Sequence, residues 1–122
     1  MEIISSKDNK RIKYIRSLLE KGGIRKKNHS FVVEGIKLVD EALEYGNVLD
    51  IIVSKSLYHE IVSGDLARNG LLSDNGKHII KQVKQGTLLT VVSDAVFKSV
   101  SETITPQGIL AEVEMPKHRL LE

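Results

Sequence analysis

The chain has 122 residues, of which 41% are hydrophobic and 28% are charged, and these values exclude the collagenous, disordered and disulfide-scaffold classes. It contains no cysteine, which excludes disulfides, thiolate metal ligands and a cysteine nucleophile. The net charge is only +2, but residues 1–30 carry nine Lys and Arg against three Asp and Glu, a local net charge of +6. This asymmetry indicates a polyanionic partner, although lysine-rich helix surfaces are also common without one.

The first predicted element is a helix over about residues 7–21, capped by Ser6. Its apolar residues Ile12, Ile15, Leu18 and Leu19 form one stripe, and two glycines at 22–23 provide the stop. The other faces of the helix are cationic, and residues 24–29 are predicted to form a basic loop. Helix and loop together predict one continuous basic edge.

The middle of the chain predicts a strand over residues 30–34, a helix over 36–45 and an apolar strand over 48–53 of the kind buried on both faces. A short helix is expected over 57–62. Residues 63–76 are rich in Gly, Ser, Asp and Asn, which favours a loop, and residues 77–85 predict another helix ending at Gly86.

The last part predicts a strand over residues 87–92, a helix over 95–100 capped by Ser93 and Asp94, a turn over 103–108 and a strand over 109–114. Strands that alternate with helices favour an α/β fold. We therefore expect a single domain over residues 1–122: a three-layer α/β/α sandwich with a mostly parallel four-stranded sheet.

Motifs for catalysis and for cofactor or metal binding are missing from the sequence. The four histidines show no i, i+4 pairing, and the nine glycines form neither a G-x-G-x-x-G nor a G-x-x-x-x-G-K-[ST] loop. We expect no catalytic residue, no cofactor site and no metal site here.

The N-terminus also lacks the pattern of a signal peptide, and no run of about 18 apolar residues occurs. These features favour a cytoplasmic protein without membrane contact.

Two short segments stand out from this background. Glu34 and Gly35 stand where a strand meets a helix, and residues 103–108 combine hydroxyls, an amide and a glycine. Gly35 can simply relax a tight turn while Glu34 interacts with the helix N-terminus. The second segment is either a plain turn or a contact for phosphate or ribose.

These landmarks, in this order and spacing, resemble the N-terminal substrate-binding domain of the SpoU/TrmH family of RNA 2′-O-methyltransferases. The matching segments are Ile3-Ile4-Ser5-Ser6, Arg25-Lys26-Lys27, Phe31-Val32-Val33-Glu34-Gly35-Ile36-Lys37, Val92-Ser93-Asp94 and Ser101-Glu102-Thr103-Ile104-Thr105-Pro106-Gln107-Gly108. The resemblance covers about residues 3–113, and residues 56–86 match poorly.

The resemblance implies a fold related to the kink-turn-binding ribosomal proteins. It implies that the chain is the N-terminal part of a longer S-adenosylmethionine-dependent methyltransferase acting on ribosomal or transfer RNA. The cofactor then belongs to a C-terminal knotted catalytic domain absent from this chain, and the full-length protein is expected to be a homodimer. The chain alone is expected to be non-catalytic.

Our main hypothesis is an RNA-binding domain that presents structured RNA to that catalytic domain. The expected RNA contacts are Lys10, Lys13, Arg16, Arg25, Lys26, Lys27, Thr105, Gln107 and Gly108. Tyr14, on the same helix as Lys13, is the best aromatic candidate for stacking on a base. The alternative is a non-catalytic docking domain whose basic N-terminal edge binds an acidic protein surface or the catalytic domain.

Overall fold

The computed structural model describes residues 2–64 and 76–116. Its strands are β1 (Ile3–Ile4), β2 (Ser30–Glu34), β3 (Asn47–Ser54), β4 (Leu89–Val92) and β5 (Ile109–Glu114). Its helices are α1 (Lys10–Glu20), α2 (Gly22–Asn28), α3 (Ile36–Tyr45), α4 (Lys55–Ser63), α5 (Lys77–Gln85) and α6 (Asp94–Val100). The strands form one sheet in the order β1-β4-β3-β5-β2.

Helices cover both faces of this sheet, so the expected three-layer α/β/α sandwich is confirmed. On one face, α3, α4 and α5 pack through Val39, Leu57, Ile61 and Ile79 against alternate residues of β3 and β5. On the other face, α1 and α6 pack through a second cluster. It contains Ile12, Ile15, Leu18, Ile52, Val92, Phe97 and Leu110.

The sheet differs from the expectation in strand number and direction. It has five strands because Ile3 and Ile4 pair in parallel with Val91 and Val92, a segment too short to show an alternating pattern. It is mixed because β5 pairs antiparallel with both β2 and β3. The parallel pairs are β1 with β4 and β3 with β4.

The direction of β5 follows from the short connection that precedes it. Asp94, at the start of α6, contacts Ser56, just beyond the end of β3, and Ser101, just after α6, contacts Glu34 at the end of β2. Helix α6 therefore begins and ends at the carboxyl edge of β2, β3 and β4. A parallel strand needs a connection that returns the chain to the opposite edge, whereas here the chain re-enters from the same edge and runs antiparallel.

The N-terminal helical region also differs from the expectation. Helix α1 begins at Lys10, and Asn9 rather than Ser6 caps it, because the Asn9 side chain accepts hydrogen bonds from the backbone N–H groups of Arg11 and Ile12. The extended residue Lys21 ends α1, and the expected basic loop is helix α2.

The helices expected over 36–45 and 77–85 and the strands expected over 30–34 and 109–114 are confirmed. Most of the loop expected over 63–76 lies outside the described residues.

Candidate nucleic-acid interface

The first part of the candidate interface is the outer side of α1. The buried stripe Ile12, Ile15 and Leu18 fixes the helix against the sheet. Lys10 and Lys13 are exposed and Arg16 is half-buried, and residues three apart are neighbours on a helix surface. These three cations therefore form a row along α1.

Helix α2 continues this cationic surface. Lys26 and Lys27 are exposed, whereas Arg25 is half-buried. The Arg25 guanidinium donates hydrogen bonds to the carbonyl oxygens of Leu18 at 2.6 Å and Leu19 at 3.2 Å. Arg25 therefore satisfies carbonyls in the last turn of α1 and ties the two helices together, and its charge is only partly available to a ligand.

We call the four exposed lysines of the two helices together with the half-buried Arg16 the α1–α2 surface: Lys10, Lys13, Arg16, Lys26 and Lys27. Within residues 2–64 and 76–116, none of these five side chains takes part in an ion pair or a side-chain hydrogen bond. Unpaired cations are available to a polyanion, since no internal contact must be broken for binding.

A partly buried charge network that the sequence interpretation missed lies beneath α1. The Arg11 guanidinium donates to the Asp50 carboxylate at 2.7 Å and to the Glu112 carboxylate at 2.6 Å. The hydroxyls of Tyr14 and Ser30 donate to the second Glu112 oxygen at 2.6 and 2.9 Å. A sequence signal did exist, because Asp50 and Glu112 are isolated acids inside two apolar strands.

The two carboxylates of this network respond to burial differently. Burial tends to raise the pKa of Glu112, but the hydrogen bonds from Tyr14, Arg11 and Ser30 outweigh it, and the net pKa is lowered. For Asp50 burial dominates over Arg11, so its pKa is raised. Tyr14 is engaged through its hydroxyl and has the Arg11 guanidinium 5.1 Å from its ring centroid. This placement argues against the expected base stacking on Tyr14.

The second part of the candidate interface is the loop between α6 and β5. The Glu34 carboxylate accepts hydrogen bonds from the Ser101 hydroxyl, the Glu102 backbone N–H and the Thr103 hydroxyl. Glu34 therefore holds this loop in place, a role different from the helix N-terminal interaction expected for it. Gly35 has φ +104°, a conformation that glycine adopts without strain, so the interpretation that Gly35 relaxes a tight turn is confirmed.

The expected contact residues of this loop differ in their freedom. Thr105 and Gln107 are exposed, while Gly108 is buried. The Gln107 carbonyl oxygen accepts from the backbone N–H of Ile36 at 2.7 Å, which leaves its amide NH2 group as a donor. Gly108 has φ +100°, and a Cβ there would come within 2.5 Å of the Ser54 hydroxyl. Gly108 is thus a packing position more than a contact surface.

The expected RNA contacts therefore fall into two groups at opposite edges of the sheet. Helix α2 ends next to the start of β2, whereas Gln107 contacts Ile36, just beyond the end of β2, and Gly108 contacts Ser54, the last residue of β3. The five residues of β2 separate the edges by about 13 Å. A single compact site made of all nine residues does not form.

No group of three or more His, Cys, Asp or Glu side chains able to hold a metal ion occurs in the described part of the chain. Within the same residues, no helix combines the length and apolarity needed to span a membrane.

The chain is similar to known RNA methyltransferases. Residues 9–111 match the family model of the MRM3-like substrate binding domain. Over 120 residues the chain is 31% identical to the 23S rRNA (guanosine(2553)-2′-O)-methyltransferase RlmP of Bacillus subtilis (strain 168), covering 98% of this chain and 40% of that protein. The chain thus spans about two-fifths of that relative.

Solved structures agree with this similarity. A crystal structure of an RNA 2′-O-ribose methyltransferase superposes with a TM-score of 0.65 at 26% identity, covering 99% of this chain and 40% of the other. The S-adenosylmethionine-bound rRNA methyltransferase from Sinorhizobium meliloti gives a TM-score of 0.64 at 22% identity, covering 94% of this chain and 37% of the other. At 22% identity, the similarity to the Sinorhizobium meliloti structure shows only that the fold is shared.

Proposed function

Because this chain belongs to the MRM3-like substrate binding domain family, we propose that it binds structured ribosomal RNA through its α1–α2 surface. The observation that carries the proposal is the set of unpaired cations on α1, which a buried apolar stripe holds on the sheet, and on the adjoining helix α2. Phosphate contacts from such side chains supply affinity and register, while RNA shape and unstacked bases supply selectivity.

The same membership supports the wider role of the chain. We propose that residues 1–122 form one RNA-binding domain of a longer protein and present RNA to a methyltransferase domain outside this sequence, with transfer RNA as the second candidate substrate. S-adenosylmethionine is then the methyl donor, bound by that other domain, in a homodimeric cytoplasmic enzyme. The residues of the present chain bind and orient RNA, and the reaction takes place elsewhere.

The size of the electrostatic contribution can be stated in advance. If about four cations of the α1–α2 surface contact phosphates, log K should fall with log salt concentration with a slope of roughly −3 to −4. Removing three of them should lower the magnitude of that slope by about 2 to 3.

The experiment compares two triple variants of the chain. Lys13, Lys26 and Lys27 are replaced by alanine in one variant, and Lys77, Lys81 and Lys84 in the other. All six lysines are exposed, and the second set lies on α5, which packs on the opposite face of the sheet. Affinity for a fragment of ribosomal RNA and for a transfer RNA is measured by fluorescence anisotropy at several salt concentrations.

We expect the first variant to lose affinity and slope, and the α5 variant to retain most of both. Equal losses in the two variants would mean general attraction to a polyanion and would contradict the α1–α2 surface. The docking alternative, in which the basic edge binds acidic protein, predicts no RNA affinity beyond that of any protein with a net charge of +2.

A further inference from the structure

A cavity of about 310 Å³ opens at the carboxyl edge of the sheet, away from the α1–α2 surface. It lies between the first turns of α4, the exposed side of α6 and the residues just before β5. Its volume is at the lower end of the range of about 300–1,000 Å³ typical of sites for small organic groups. The cavity is therefore large enough for a planar ring system.

The floor of the cavity is apolar. Leu57 and Phe97 line it, and these residues are only 4% and 1% exposed. The Ser54 hydroxyl accepts a hydrogen bond from the backbone N–H of Leu57 at 3.2 Å, and the Ser54 N–H donates to the Gly108 carbonyl at 2.8 Å. Because Gly108 has no side chain, the backbone passes close to Ser54 without closing the cavity.

The charges that line the cavity argue against an anion. Asp94 and Glu60 contribute two carboxylates, and Lys98 is the single cation among the lining residues. The backbone N–H and the hydroxyl of Ser56 both donate to Asp94, which lowers the pKa of this carboxyl and keeps it ionised at neutral pH. A phosphate placed here would meet more negative than positive charge and would find the Ser56 donors already used.

We propose that this cavity binds one unstacked base of the RNA, and that it prefers guanine, adenine and cytosine to uracil. The base would lie on Leu57 and Phe97 and direct N–H donors at the carboxylates of Glu60 and Asp94. The three preferred bases carry exocyclic amino groups, whereas uracil offers a single N3–H flanked by two carbonyl oxygens, which the carboxylates would repel. Lys98 at the rim is placed for the phosphate of the same nucleotide.

This inference rests on the proposed RNA-binding function, but it concerns a different edge of the molecule. The test titrates the 15N-labelled 122-residue chain with GMP, AMP, CMP and UMP, and separately with inorganic phosphate, and follows the backbone amides by NMR. We expect shifts at Ser56, Gln107 and Gly108 with dissociation constants in the millimolar range, about tenfold weaker for UMP.

Two variants separate recognition from folding. Glu60→Gln removes one carboxylate acceptor from an exposed helical residue, and Glu44→Gln makes the same change on α3, outside the cavity. We expect Glu60→Gln to reduce the discrimination against UMP severalfold and Glu44→Gln to leave it unchanged.

The proposal fails if none of the four nucleotides shifts the cavity amides, if UMP binds as well as the others, or if inorganic phosphate gives the same shifts. Each variant is also tested on the ribosomal RNA fragment across the salt series. If RNA binding shows the expected salt dependence but the four nucleotides bind equally well, only the base site is overturned. If the chain does not bind RNA at all, the proposed function is overturned.

Discussion

Replacing Arg11 by methionine tests whether the partly buried charge network holds α1 on the sheet. Methionine keeps the unbranched apolar stem but removes the guanidinium that donates to Asp50 and Glu112. The Asp50 side chain is 13% exposed and that of Glu112 5% exposed. The variant therefore leaves two largely buried carboxylates without their counter-charge.

The magnitude follows from this geometry. Removing one partner of a fully buried ion pair costs about 3–5 kcal/mol. The Arg11 side chain is 32% exposed, so solvent weakens the interaction, and we expect a loss of about 2–3 kcal/mol in the free energy of unfolding. Small domains have total stabilities of about 5–15 kcal/mol, so the variant should fold but be clearly weakened.

The assay is urea unfolding at pH 7 followed by circular dichroism, where the expected loss shifts the midpoint by about 1–2 M. Arg16→Met is the matched control, because Arg16 lies on the same helix and takes part in no ion pair within the described residues. We expect the control to change stability by less than about 0.5 kcal/mol. A similarly small effect of Arg11→Met would refute the proposed role of the network.

The pH dependence gives a second readout of the same variant. In the native chain the lowered pKa of Glu112 contributes stability that is present above its ordinary value of 4.5 and lost as the pH falls through the folded-state value. The raised pKa of Asp50 acts in the opposite sense: its contribution to stability is present at low pH and is lost as the pH rises through the folded-state pKa of Asp50. Without Arg11 the pKa values of both carboxyl groups rise. The difference in unfolding free energy between the variant and the native chain should therefore shrink as the pH falls from 7 toward 4. A gap independent of pH would contradict this account.

Two further changes probe the carboxyl edge of the sheet. Gly108→Ala should destabilise the chain by about 2 kcal/mol or more, because φ is +100° and the new Cβ would lie 2.5 Å from the Ser54 hydroxyl. Gly23→Ala is the control: a Cβ at Gly23 would meet nothing within 4 Å, so thermal denaturation should show a neutral or stabilising effect. Hydrogen bonds from Ser56 lower the pKa of Asp94, so the ionised carboxylate stabilises the folded chain and this stabilisation is lost on protonation. Asp94→Asn should therefore lower the free energy of unfolding at pH 7. The difference in stability between variant and native chain should vanish as the pH falls well below 3.8. A difference that persists in acid would show that the charge of Asp94 is unimportant.

The elements that the sequence predicted best are those with a strong local signal. Helices α3 and α5 each have an amphipathic stripe and a glycine at the C-terminal end, at Gly46 and Gly86. The helical state of α2 was missed because its segment contains two glycines and a run of cations without an apolar stripe. The folded chain supplies what the local sequence lacks, since Arg25 bridges to the end of α1.

The exposure of Lys10 and Lys13 on α1 was also accessible from the sequence, since cations opposite an apolar stripe reveal themselves by spacing alone. Arg11 shows the limit of that approach. By charge it is one more cation of the N-terminal segment, yet it is bound to two acids that are 39 and 101 residues away. Only the pairing of β3 with β5 brings those acids together.

The sequence by itself determined the α/β class, most of the strands and helices, the basic character of the N-terminal segment and the resemblance to an RNA-binding domain. These features depend on periodicity, composition and residues close in the chain. The tertiary structure alone decided that β5 runs antiparallel, that the expected RNA contacts lie on two separate edges and that a cavity forms between α4, α6 and Gly108. Each of these depends on which distant segments meet, and that is set by the packing of both sheet faces together, which no local pattern encodes.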